Sequence, residues 1–266
     1  MKLRTLLYCL LGGLPITFAA LGAAHFGWWY LSGIVLAASF VPVAFFGPRS
    51  AWRQFGLIAP VLLIVTVLCT WSEGLIFVPA TRQNAVSNLL GAIAMYLIVA
   101  VVLAALGRWF GLARSSEMAV PHRAPAVAAL LLLVCGLAYT LYYLVFGAIT
   151  YQFFTKAYYP DADKLVAPLG LWFWAIQIAR GVLMTLAVVP VIYTLRMKRW
   201  QAALVAGLLI WIAGGAAPLL PPNPFMGATQ RFIHVVEIFT QNFSLGMTAV
   251  WLLRPRQPAT SPTLSS

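Results

Sequence analysis

Residues 88–107 read NLLGAIAMYLIVAVVLAALG, twenty positions without a charged side chain, closed by Arg108. At a rise of about 1.5 Å per residue such a helix reaches about 30 Å, the thickness of a bilayer's hydrocarbon core. The run is therefore a membrane span, and it has company. Eight stretches qualify, at about 6–24, 28–46, 57–78, 88–107, 126–152, 169–194, 201–219 and 230–253, joined by short loops that leave no room for a separate soluble domain. The expected fold is an all-α integral membrane protein, an eight-span helix bundle forming one domain over residues 1–256, followed by a disordered Pro/Ser/Thr-rich tail at 257–266.

Composition agrees with the span count. Of 266 residues 62% are hydrophobic and 8% charged, and the mean hydropathy is +0.92. A soluble domain is about 45–50% apolar and about 25% charged, so this chain lacks the charge to cover a surface facing water. The net charge of +12 would suggest nucleic acid if the bases shared one face of a soluble fold, but they fall in loops between spans and no nucleic-acid motif accompanies them.

Those loops set the orientation. One side collects Lys2, Arg4, Arg49, Arg53, Arg108, Arg114, Arg123, Arg196, Lys198, Arg199, Arg254 and Arg256, the other only Arg82, Lys156, Lys164 and Arg231. The positive-inside rule then puts both termini in the cytoplasm of a multi-pass inner-membrane protein. The first span has a competing reading as a signal peptide, because Lys2 and Arg4 precede an apolar run that ends in small residues at 21–24. Cys9, Cys69 and Cys135 are dispersed within spans, a pattern for packing and not for a disulfide framework or a metal cluster.

Gly33, Val41-Pro42-Val43 and Trp52 recur as Gly181, Val189-Pro190-Val191 and Trp200 at a constant offset of 148 residues. This maps span two onto span six and points to a tandem parallel repeat of four plus four helices, residues 1–115 and 120–256, of the kind transporters use. Coincidence among apolar segments is the competing explanation. The charges are not duplicated: Arg180 stands where the first copy has Ser32.

Ionisable groups at bilayer depth are costly, so they face the bundle and find partners. Span three offers Thr66, Thr70 and Glu73, span six Gln177 and Arg180, and span eight Gln230, Arg231, His234, Glu237, Gln241 and Asn242. On span eight the polar residues fall on one arc, which should face protein, and Phe232, Val236, Phe239 and Phe243 on the other, which should face lipid. Counting rises along antiparallel helices brings Glu73, Arg180, His234 and Glu237 into one layer in the outer half of the membrane. Arg180 is expected to pair with Glu73 or Glu237, and Arg231 to be capped by the outer loop.

This mixture suits proton handling or anion binding, because Arg supplies fixed charge and bidentate donors while His and Glu exchange protons near neutral pH. His234, Glu237 and Glu73 are the expected proton-transfer residues. Arg180, Arg231, Gln177, Gln241, Asn242, Tyr142 and Tyr143 are the expected ligand-binding residues. His234, Glu237 and Glu73, with His25 as a further ligand, form a weak metal candidate that the two arginines oppose. No cofactor is expected. The Asp161-Ala162-Asp163 triplet in an outer loop could hold a divalent cation or be a solvated turn.

G-x-S-x-G, H-E-x-x-H and Walker A signatures are absent from the sequence. The leading expectation is binding and translocation of a small or amphiphilic anion, with proton coupling as an option. The alternative is an integral-membrane enzyme acting on a lipid or lipid-linked substrate, with a His/Glu acid-base pair and Arg clamps. A non-catalytic sensor or assembly factor is the third. Membrane lipids and a small-molecule or lipid-like ligand are the expected partners.

Overall fold

The structure is a computed structural model that describes residues 2–20, 25–113, 120–158, 164 and 166–256. The described residues are almost all helical, and there is no strand among them beyond one bridge between Asn223 and Met226. Six helices are long and apolar enough to cross a membrane: α2 (Phe26–Phe46), α3 (Ala51–Phe77), α4 (Ala85–Trp109), α5 (Pro125–Thr155), α6 (Leu171–Thr194) and α7 (Arg199–Leu219). They are flanked by α1 (Lys2–Ala19), whose start carries Lys2 and Arg4, and α8 (228–253), which carries the polar series from Gln230 to Asn242. Asp161, Asp163, the small residues 21–24 and the tail 257–266 lie outside the described residues.

The outer surface is apolar. On α5 only Cys135, Gly136, Tyr139 and Thr155 are buried, while Leu130, Leu133, Leu137, Leu141 and Leu144 point outward. A face of exposed leucines is stable against acyl chains and not against water.

Consecutive helices pair as α1–α2, α3–α4, α5–α6 and α7–α8. Three of these pairs close on glycines: a Cβ at Gly33 would fall 2.4 Å from the Gly13 carbonyl oxygen, one at Gly181 2.9 Å from Gly136 Cα, and one at Gly246 2.5 Å from Gly207 Cα. In an apolar solvent helices associate by close packing, and small residues permit it. Further contacts are reciprocal between the halves. α1 packs on α4 as α5 packs on α8, α2 meets α7 as α6 meets α3, and α3 meets α7 at the centre.

Four helices contain π-helical segments: Val61–Cys69 in α3, Tyr151–Thr155 in α5, Ile212–Ala216 in α7 and Phe239–Phe243 in α8. The segments of α3, α7 and α8 meet at Gly214, where a Cβ would lie 2.9 Å from both Asn242 Nδ2 and Val65 Cγ1. A π turn adds a residue to the turn and so rotates every later side chain relative to α-helical spacing. That rotation corrects two expectations. Phe239 and Phe243 pack inward against α7, Phe239 on Trp211 at a centroid distance of 4.8 Å and Phe243 on Gly207, while Phe232 and Val236, before the π turn, are exposed. Likewise Thr66 is buried but Thr70 is exposed, so Thr66, Thr70 and Glu73 do not share a face.

Candidate functional site

Arg180 lies in the middle of α6 and is 7% exposed. Its Nη2 donates to Glu73 Oε2 at 2.8 Å and its Nη1 to Gln177 Oε1 at 2.8 Å. Of the two carboxylates at the expected depth, Glu73 is therefore the partner. The choice follows from packing, because α6 lies against the π segment of α3. The pair is asymmetric: the Arg180 side chain is 8% exposed and that of Glu73 34%, so the cation is sealed and the anion is open. Arg180 Nε and Gln177 Nε2 are buried without a partner.

The second ionic pair is on α8. His234 Nδ1 lies 3.1 Å from Glu237 Oε2, one helical turn along, and Gln241 Nε2 donates to Glu237 Oε1 at 3.2 Å. This stripe faces α5 at Gly147, where a Cβ would stand 3.5 Å from Glu237 Oε1 and 3.7 Å from Gln241 Nε2. A glycine here lets the carboxylate sit between the helices.

The two pairs share one field. Glu73 is within electrostatic reach of His234. Tyr143 is within reach of Glu73, Arg180 and Glu237 together, as is Tyr139. The Arg180 guanidinium carbon is 5.8 Å from the centroid of the Tyr139 ring, a cation–π contact that stabilises a buried charge. Sequence reasoning named Tyr143 and missed Tyr139. The signal was present in the spacing, since the two are one turn apart on α5, with centroids 6.2 Å apart.

Other expected residues belong elsewhere. Tyr142 bonds the Thr248 hydroxyl at 2.8 Å, toward the other end of α8. Asn242 turns to α7, donating to the Ile210 carbonyl at 3.3 Å beside the π segment. Arg231 Nη1 donates to the Met226 carbonyl at 3.1 Å, in the loop that precedes α8. His25 begins α2 with a left-handed φ of 66°. Among the described residues no three His, Cys, Asp or Glu side chains are arranged to hold a metal ion.

The arrangement is thus a buried cation with a partly exposed carboxylate as counter-ion, next to a His/Glu pair and two tyrosines. No family model matches the chain, and no curated protein or solved structure is similar to it.

Proposed function

We propose that this chain is an eight-span inner-membrane transporter that binds and moves a small or amphiphilic anion together with a proton. α1 and α8 cross the membrane with the other six, both termini face the cytoplasm, and the two halves are a tandem parallel repeat. The reciprocal helix contacts support the repeat, as does the 148-residue offset: α2 ends at Phe46 and α6 at Thr194, while α3 begins at Ala51 and α7 at Arg199.

The observation that carries the functional reading is the asymmetry of the Arg180–Glu73 pair. With Glu73 ionised, the Arg180 charge is neutralised and a second anion is repelled. Protonating Glu73 through its exposed side releases the guanidinium, whose fork then takes a carboxylate or phosphate. Anion and proton enter as a neutral unit, which removes most of the cost of placing charge at bilayer depth. Gln177 Nε2 and Arg180 Nε, already buried and unpartnered, supply further donors. Glu237, bridged to His234, is the next proton station.

The test is anion-driven proton uptake into proteoliposomes, read with a trapped pH-sensitive dye while acetate, lactate, phosphate and short alkyl phosphates are added in turn. Uptake with at least one of them, abolished in Arg180→Gln and in Glu237→Gln, is the expected result. Glu73→Gln mimics the protonated carboxyl and should keep anion binding while losing its dependence on pH. If Arg180→Gln and Glu237→Gln transport as the wild type does, the proposal falls.

The His234–Glu237 geometry favours a second reading, an enzyme in which Glu237 orients His234 as general base toward a lipid-linked substrate. Turnover of such a lipid, lost in His234→Gln without any anion-driven proton flux in the wild type, would replace the first reading.

A further inference from the structure

A second group of charged side chains lies at the opposite end of the bundle, where the α6–α7 loop, the start of α5 and the end of α8 meet. Arg123 Nε donates to the Leu252 carbonyl at 3.2 Å, Tyr193 Oη to the Leu253 carbonyl at 2.9 Å, and Arg199 Nη2 to the Trp251 carbonyl. The Arg199 guanidinium carbon also stands 4.4 Å over the Trp251 ring. Arg254, 2% exposed, donates to the carbonyls of Ile192 at 3.4 Å, Leu195 at 3.1 Å and Met197. The last carbonyls of α6 and α8 are therefore capped by cations, which the helix dipole favours.

Capping uses only part of each guanidinium, which carries five N–H donors. Arg199 Nε is buried and has no partner. Arg256 is exposed beside the cluster. Burial, then repulsion from Arg199, holds Arg254 below the ordinary arginine value. Among the described residues the carboxylates of Glu73 and Glu237 are engaged elsewhere, with Arg180 and His234. The cluster is thus a concentration of positive charge that the described part of the chain does not balance.

Its surroundings indicate what does. Trp251 is 41% exposed at its edge, and an exposed apolar stripe of Val127, Leu130, Val134, Leu137 and Leu141 runs down α5 from just beyond Arg123. A soluble anion has no use for that stripe, whereas a phospholipid places its phosphate at the arginines and its acyl chains along the leucines. Basic pockets between spans on the cytoplasmic side hold anionic headgroups in this way. We propose that Arg123, Arg199 and Arg256 form a binding site for the phosphate of an anionic phospholipid, with Arg254 as the buried cation that fixes the floor. The proposal rests on the reading of the chain as membrane-embedded, but it uses neither Arg180 nor Glu73 and stands or falls apart from transport.

Native mass spectrometry of the purified full chain, titrated with phosphatidylglycerol or phosphatidylcholine, tests it. One saturable phosphatidylglycerol is expected, with weaker phosphatidylcholine binding. Arg256→Gln should lower the affinity about five-fold and the Arg123→Gln, Arg256→Gln double variant about twenty-five-fold, following the usual contribution of each basic side chain near an anionic surface. Arg256 and Arg123 are both exposed, so both variants should fold. Arg49→Gln with Arg53→Gln, at the same end but in the first half, should change nothing. Equal binding of the two lipids, or an unchanged double variant, overturns the proposal. Displacement of phosphatidylglycerol by millimolar inorganic phosphate would assign the site to a soluble anion instead. Glu117 lies outside the described residues; if phosphatidylglycerol binds only in Glu117→Gln, the chain's own carboxylate fills the site and the proposal fails.

Discussion

Ser32 and Arg180, which the proposed repeat places in corresponding positions of its two halves 148 residues apart, do the same mechanical work by different chemistry. Ser32 on α2 reaches the other half at α7, donating to the Ala217 carbonyl at 2.7 Å. Arg180 on α6 reaches the other half at α3, donating to Glu73 at 2.8 Å. Each contact ties the second helix of one half to the third helix of the other. The need for Ser32 is local: the residue four after Ala217 is Pro221, which has no N–H, so the Ala217 carbonyl has no ordinary helical donor. A hydroxyl suffices there. If tying the halves together were the whole task at Arg180, a hydroxyl or amide would suffice there too, without the cost of burying a guanidinium. The difference between the two contacts is the argument that Arg180 is retained for a ligand.

Breaking the ionic contact should have the largest effect on stability. Arg180→Gln leaves Glu73 without its cation, and removing one partner of a buried pair costs about 3–5 kcal/mol. Because the Glu73 side chain is one-third exposed, the loss should fall toward the lower end. Thermal unfolding in detergent reads it. The Arg180→Gln, Glu73→Gln double variant should recover most of the lost stability, since neutralising both members of a buried pair is often neutral. It should not recover anion-driven proton uptake. Recovery of both would make the pair a fastener equivalent to Ser32, and the comparison above would lose its point.

Next in size are the glycine contacts that seat the two helices carrying these residues. A Cβ at Gly33 would fall 2.4 Å from the Gly13 carbonyl oxygen, and one at Gly181 2.6 Å from Tyr139 Cβ. Both obstacles are held by backbone: a carbonyl oxygen in the first case, and in the second Tyr139 Cβ together with Gly136 Cα at 2.9 Å. Gly33→Ala, with the shorter contact, should destabilise somewhat more than Gly181→Ala, both toward the upper end of the roughly 1–3 kcal/mol typical of overpacking. Gly181→Ala should also disturb the Tyr139 ring, and with it the cation–π contact to Arg180. Unfolding measurements on both, with transport on the second, distinguish a packing contact from one that also shapes the site.

The helical character of the fold was legible in the sequence because apolar runs of bilayer length are read from composition alone, and the six helices long and apolar enough to cross a membrane fall close to expected spans. Of the site, the Arg180–Glu73 contact was legible as one of two alternatives. Counting residues placed Glu73, Arg180, His234 and Glu237 at one depth, but depth says nothing about which way a side chain points around its helix. Choosing Glu73 over Glu237 as the partner of Arg180 required the packing of α6 on α3. The π segments were not legible, since their residues are ordinary span residues and a π turn leaves no compositional trace. Thr70, Phe239 and Phe243 lie in or after such segments and were placed with α-helical spacing across a turn that is wider, whereas Glu73, which also follows one, was expected beside Arg180 and is found there.

The smallest expected effect is at Ser32, and it sharpens the comparison most cleanly. Ser32 is 4% exposed, so Ser32→Ala removes a donor without adding volume or charge. A neutral hydrogen bond contributes about 0.5–1.5 kcal/mol, and a buried carbonyl left without a donor costs about 1–3 kcal/mol. The Ala217 carbonyl, however, already accepts from the Leu220 amide at 3.4 Å, so it is not orphaned outright and the loss should be about 1 kcal/mol. Measured beside Arg180→Gln under the same conditions, Ser32→Ala should lower stability less and leave anion-driven proton uptake intact. A Ser32→Ala protein that stays folded yet loses uptake would place the working contact in both halves, and transport would then depend on the α2–α7 seam as much as on the charged one between α6 and α3.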